Sequence, residues 1–225
     1  MDALWDHNTR MVLSTICCTV YYECMTNPDP TQAPTLGDYK KYAVQQQVSR
    51  IALELFFDRG FDQVTVDEIA KAAGMSRTTF FRYFATKEDV VLFGNEQVGL
   101  LVLAALQERP ATERVWVALR IALEQASGRV DMPDGGLTFV QMVIATPSIR
   151  RRQLEKQRAW QDLLVPEIQR WLPARSDRQP DVRADALVRA AFACLETAVE
   201  AWAASDGNAH LPSLLEQAMG SVSPG

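Results

Sequence analysis

The segment Thr65 to Phe84, TVDEIAKAAGMSRTTFFRYF, limits the possible folds more than any other stretch of the chain. Thr65 stands three residues before Glu68, the spacing at which a threonine hydroxyl takes a first-turn N–H and the carboxylate reaches back to complete a capping box. Val66, Ile69, Ala70 and Ala73 then recur on one helical face, and Gly74 ends the run. Ser76 is placed to cap a second helix over Arg77–Phe84. Two short helices joined by a tight turn with glycine describe a helix-turn-helix.

A longer amphipathic helix precedes this pair. Val44, Val48, Ile51, Ala52, Leu55 and Phe56 fall at three- and four-residue intervals with Arg50, Glu54 and Asp58 between them, and Gly60 closes the pattern. From Lys87 onward no strand alternation occurs. Helices are expected near 87–108, 112–127, 136–146, 148–172, 181–204 and 211–220, separated by proline-, glycine- and aspartate-bearing breaks. The fold class is therefore all-α: an amino-terminal three-helix unit with the helix-turn-helix over 38–86, then a larger helical bundle over 87–221.

Residues 1–37 are expected to form an extension that is disordered or does not belong to the native protein, with a start at Met25 as the alternative. The run MTNPDPTQAPTLGDY has a lead-in composition. The apolar stretch Met11–Tyr22 is twelve residues long, too short to span a bilayer and without the flanks of a signal peptide. Of four cysteines, Cys17, Cys18 and Cys24 crowd this segment and Cys194 stands alone; none has metal-ligand spacing. Reduced thiols, a cytoplasmic location, no membrane partner and no metal follow as expectations.

Net charge is −5, so the molecule as a whole repels polyanions and any nucleic-acid contact needs a local basic patch. Gly74–Lys87 supplies one, with Arg77, Arg82, Lys87 and four aromatic rings. At 100° per residue, Phe80 and Phe84 point together toward a core. Thr78, Thr79 and Arg82 fan over the opposite face, with Tyr83 on one edge and Arg77 and Phe81 on the other. Arginine pairs with guanine O6 and N7, threonine contacts a base or the thymine methyl, and tyrosine or lysine holds phosphate. No carboxylate occurs between Ala70 and Thr86, and the acids before it are expected to stand clear. A solvated helix with inward aromatics would explain Phe80 and Phe84; it would not explain the segregated charge.

The string FFDRGFDQVTVDEIAKAAGMSRTTFFRYFATKEDVV, within residues 42–93, resembles the amino-terminal DNA-binding region of TetR-type transcriptional regulators. By that resemblance Arg77, Thr78, Thr79, Phe81 and Arg82 face bases of double-stranded DNA, while Thr65, Tyr83 and Lys87 hold its backbone. Phe81 stands where the family often has tyrosine, so that hydroxyl contact is not available here. A phosphate would also account for Lys87, a cation in a helix first turn where the dipole disfavours it. SRTTFFRYFATKEDVV together with MVIATPSIRRRQLEKQRAWQDLLVPEI further resembles a subgroup whose members bind acyl-CoA-like ligands.

In the second domain most large apolar residues build core. Trp116, Phe139, Met142 and Trp160 are the candidates for lining an apolar cavity, methionine and tryptophan giving adaptable walls. The basic run Arg150–Trp160 could receive a phosphate-bearing head group, although such a run is more often a solvated helix face. Leu187, Ala190, Ala191, Cys194, Leu195, Ala198 and Trp202 carry small and apolar groups at helical spacing, and a homodimer through the last two helices is what the resemblance implies. Dimerisation would present two recognition helices to a palindromic operator.

An enzyme is disfavoured: the only histidines are His7 and His210, and G-x-S-x-G, P-loop, G-x-G-x-x-G and H-E-x-x-H signatures are missing. No cofactor is implied. The expected function is a ligand-released repressor with a small hydrophobic or acyl-CoA-like effector; an activator, or an architectural DNA binder without ligand control, are the alternatives.

Overall fold

The protein is described here from a computed structural model, which covers residues 35–95, 97–110, 112–129, 136–174 and 181–222. Thr35 opens the first helix, α1 (Leu36–Arg59), with a capping box: Asp38 N–H donates to its hydroxyl, and the Asp38 carboxylate accepts from the Thr35 N–H at 2.9 Å. The helix thus starts two residues before the expected domain boundary at 38. The three amino-terminal cysteines and most of the expected extension lie outside the described residues.

A 3-10 turn (Phe61–Gln63), α2 (Val66–Ala72), α3 (Arg77–Tyr83) and α4 (Lys87–Val91) follow. Their shared core holds Val48, Ala52 and Phe56 from α1, Ile69 from α2, Phe80 from α3, and Val90, Val91 and Leu92 at the end of α4. A boundary at 86/87 therefore cuts through one hydrophobic cluster. Ser49 reinforces it from inside, its buried hydroxyl donating to the Val90 carbonyl at 2.8 Å.

The single helix expected over 87–108 is two. Gly94 takes φ 89°, and the N–H groups of Asn95 and Gln97 turn back to the carbonyls of Leu92 and Gly94; that left-handed conformation is open to glycine and interrupts the ladder. The chain resumes as α5 (Gln97–Gln107), α6 (Val115–Arg129), α7 (Gly136–Ala145), α8 (Pro147–Trp171), α9 (Arg183–Ala204) and α10 (Leu211–Ser221). Among the described residues every regular element is helical, and no helix is long and apolar enough to cross a membrane.

A second core gathers Val102 and Leu106 of α5, Leu119 and Leu123 of α6, Leu164 and Ile168 of α8, Phe192 of α9 and Leu215 of α10. One helix serves both cores. Ile149, near the start of α8, is fully buried in the first cluster, while Trp160, Leu164 and Ile168 belong to the second. On α9, Ala191, Cys194 and Ala198 face the chain's own core, so they are not free for a partner copy. The exposed positions of that helix are instead Ala186, Ala193, Thr197, Ala201 and Ala204.

Candidate nucleic-acid interface

Each short helix around the recognition segment is set by a side chain at its start. Thr65 accepts from Glu68 N–H, and the Glu68 carboxylate returns to the Thr65 N–H and hydroxyl, both at 2.8 Å. The same carboxylate meets Arg59 at 2.7 Å. The Thr65 N–H, then Arg59 and the Thr65 hydroxyl, lower the Glu68 carboxyl from 4.5 to about 2. Gly74 (φ 69°) ends α2 as its N–H and that of Met75 turn back to the carbonyls of Lys71 and Ala70. Ser76 then accepts from the Thr79 N–H at 3.1 Å and starts α3.

The helix ends at Tyr83, since Phe84 is already extended (φ −134°). Phe80 and Phe84 are buried as expected. At the carboxyl end, Gln45 of α1 donates to the Tyr83 carbonyl at 2.9 Å. This contact across 38 residues satisfies one of the carbonyls that every helix end leaves open, and nothing in the sequence pattern marks it.

Thr78 and Arg82 stand exposed on α3 with no partner among the described residues. Phe81 is 43% exposed and meets Phe80 edge-on. Arg77 is also exposed, but its guanidinium binds Asp67 of α2 at 3.0 Å and lies over the Phe81 ring. The acids are therefore not all out of reach: the tight turn folds α2 back so that Asp67 touches the recognition helix. Thr79 is half-buried with its hydroxyl on Ser76 at 2.9 Å, and Tyr83 is half-buried on the edge of the core. Thr65 is exposed, its hydroxyl engaged by the capping box.

Lys87 receives a partner other than the expected phosphate. Its ammonium donates to the carbonyls of Phe61 (2.8 Å) and Val64 (3.1 Å) and sits 3.9 Å from the centre of the Phe61 ring. The unfavourable first-turn cation is thereby met inside the chain, by two turn carbonyls and an aromatic face.

The four cavity candidates are not brought together. Trp116 and Trp160 lie in the second core, whereas Phe139 and Met142 pack against the first. Proximity in the sequence hid this, because α7 packs on α8 and α9 and sets Phe139, Met142 and Val143 against the first cluster. The basic run also divides. Arg150 pairs with Glu196 and Glu200 of α9, and Arg152 with Asp89 of α4 at 2.8 Å and with Glu155. Arg151 and Arg158 line an open depression between α8 and α9, with Arg189 and two carboxylates, Glu155 and Glu196. Burial raises the Cys194 thiol above its ordinary range. No group of metal-ligating side chains occurs among the described residues.

Comparison with known proteins bears on the same segment. The profile of bacterial regulatory proteins, tetR family, matches residues 50–92. The HTH-type transcriptional regulator TcmR of Streptomyces glaucescens is 35% identical over 130 residues, 55% of this chain and 58% of that protein. The HTH-type transcriptional regulator EthR of Mycobacterium tuberculosis is 39% identical over 71 residues, 29% of this chain and 33% of its own. The chain thus spans less than two thirds of these relatives' length. Among solved structures, FadR of Thermus thermophilus, a TetR-family transcriptional repressor in complex with lauroyl-CoA, is 26% identical and covers 78% of this chain and 91% of its own, with a TM-score of 0.52. FadR of Bacillus halodurans, 20% identical, shares the fold over 80% of this chain and 95% of its own, with a TM-score of 0.55.

Proposed function

We propose that this chain, which belongs to the tetR family of bacterial regulatory proteins, is a cytoplasmic repressor that binds a palindromic operator as a homodimer and releases it when an apolar effector occupies the bundle. The observation that carries the reading is the outer face of α3: Arg82 and Thr78 are exposed and unengaged on a helix whose other side is locked into the core by Phe80. A guanidinium and a small hydroxyl on a fixed helix suit base edges in a major groove.

The relatives that match are named as regulators, which supports a non-enzymatic role. A two-fold dimer would set two α3 helices about 34 to 36 Å apart, one turn of B-DNA. The exposed small residues Ala186, Ala193, Thr197 and Ala201 of α9 would allow the close helix approach that such a dimer uses. The acyl-CoA bound by the Thermus relative suggests a fatty-acyl effector class for this chain as well.

Release needs only that the effector favour one of two helix spacings, a coupling of about 1 to 3 kcal/mol. The test is selection of duplexes from random DNA by the purified protein. Fluorescence anisotropy on the selected and a scrambled duplex follows, at two salt concentrations, with and without lauroyl-CoA. A palindromic consensus bound selectively and released by the acyl-CoA is the expected result. Failure to enrich any consensus would remove the repressor reading.

A further inference from the structure

The second core treats its two tryptophans differently. The Trp116 indole N–H donates to the Met219 carbonyl at 3.0 Å. Trp160 is only 8% exposed, yet its indole N–H has no acceptor among the described residues. A buried donor left unpaired costs stability, and native cores rarely retain one without a use.

The surroundings of this ring are built to admit it. Gly99, inside α5, lies flat against the indole: a Cβ there would stand 2.7 Å from Trp160 Cδ1 and 2.8 Å from its Cβ and Cγ. Because Trp160 Cβ is among those atoms, any larger residue would have to push α8 itself away from α5, and the ring with it. Glycine in a helix interior weakens the helix, and here the return is a ring seated directly on backbone. On the α9 side the ring meets Phe192, with centroids 6.3 Å apart. The environment is therefore apolar apart from the single unpaired donor.

Trp160 is also placed to be felt at the DNA-binding domain. On the same helix, eight residues earlier and about 12 Å along the axis, Arg152 holds Asp89 at 2.8 Å. Asp89 is the carboxylate that caps α4 through Thr86. Ile149, one turn further back, is buried in the amino-terminal core. Displacement of α8 at Trp160 thus reaches α4 through one continuous helix, one ion pair and one buried side chain.

We propose that Trp160 is the gate and the polar anchor of the effector site. A chain-like apolar molecule carrying a carbonyl or thioester oxygen displaces the indole from Gly99, accepts its N–H, and shifts α8 against α4. The inference rests on the reading of the chain as an effector-controlled regulator, and it names the contact through which that control acts.

The experiment uses the full-length protein and the duplex it selects from random DNA, with 2-dodecanone, a neutral chain with one carbonyl, as the probe. Gly99→Ala forces α8 and its ring away from α5 without ligand and is expected to weaken the selected duplex about tenfold, one hydrogen bond's worth of affinity. Trp160→Phe keeps an aromatic ring but loses the N–H, and is expected to weaken 2-dodecanone by a similar factor, read by displacement of the duplex. Thermal unfolding of each variant separates these effects from a loss of fold. A Gly99→Ala protein with wild-type DNA affinity would overturn the gate. Equal ketone affinity in wild type and Trp160→Phe, or no ketone binding by the wild type, would overturn the anchor. Absence of any selected duplex for the wild type would instead sink the regulator reading itself, before a variant is made.

Discussion

The amino-terminal domain and the bundle behind it hold their helices by different means. In the first, α2 and α3 have seven residues each and α4 has five. Each begins with a side-chain cap, from Thr65, Ser76 and Thr86, and two of these are full capping boxes. In the bundle, α8 and α9 run for 25 and 22 residues, and neither N-cap residue makes a side-chain cap, although Asp181 accepts from the Arg183 N–H at the start of α9. A helix of two turns forms too few hydrogen bonds to offset its nucleation, so its ends must be satisfied chemically. A helix of six turns draws most of its stability from the face it buries, and α1, with 24 residues, carries a capping box as well. The residues that match the family profile end at 92, just past α4. Caps, turns and a small shared core prescribe residue types position by position, while a bundle asks only for apolar volume.

The contrast breaks first at its centre. Phe80→Ala, at a fully buried ring in the small core, should destabilise the amino-terminal domain by about 3 to 5 kcal/mol, measured by chemical unfolding. A loss below about 1 kcal/mol would mean that the capped helices stand without the core.

Lys87→Ala comes next. Because the ammonium holds the Phe61 and Val64 carbonyls, the change should lower stability by about 1.5 to 3 kcal/mol, the range for hydrogen bonds to charged groups, and leave the salt dependence of DNA binding as it was. A slope reduced by about one unit, with stability intact, would return Lys87 to a phosphate contact.

Arg82→Ala should cost about 1 to 3 kcal/mol on the selected duplex and less on scrambled DNA, by anisotropy. Equal losses on both would make Arg82 a backbone contact.

The smallest effect concerns pH. The Glu68 carboxyl is lowered from 4.5 to about 2 in the folded chain, so the stability it contributes is full above 4.5 and disappears as pH falls from there toward 2. Glu68→Gln should flatten that acid limb of the unfolding curve and leave the neutral region's slope unchanged. An unaltered acid limb would show that the capping carboxylate titrates normally.

Much of the candidate interface was legible beforehand because its determinants are local. Thr65 and Glu68, Gly74, Ser76, and the inward pair Phe80 and Phe84 act within one or two turns of their own positions, where spacing fixes geometry. The break at Gly94 is local and was missed in the sequence pattern, whereas the departures at the candidate sites involve distance in sequence. Asp67 reaches Arg77 only because the turn folds α2 onto α3, and Lys87 finds carbonyls 26 and 23 residues earlier. Phe139 and Met142 read as bundle wall because they precede α8, yet they pack against the other core.

What the sequence determined by itself is the all-helical class, the helix-turn-helix and the outward face of α3, since periodicity and caps are properties of neighbouring residues. What only the tertiary structure decided is which charges on α3 are engaged, which residues join the first hydrophobic cluster, and which of the two buried tryptophans Trp116 and Trp160 has an indole acceptor among the described residues. Those depend on contacts between residues tens of positions apart, such as Trp116 with Met219 and Gly99 with Trp160, and no local pattern encodes the closure that brings them together.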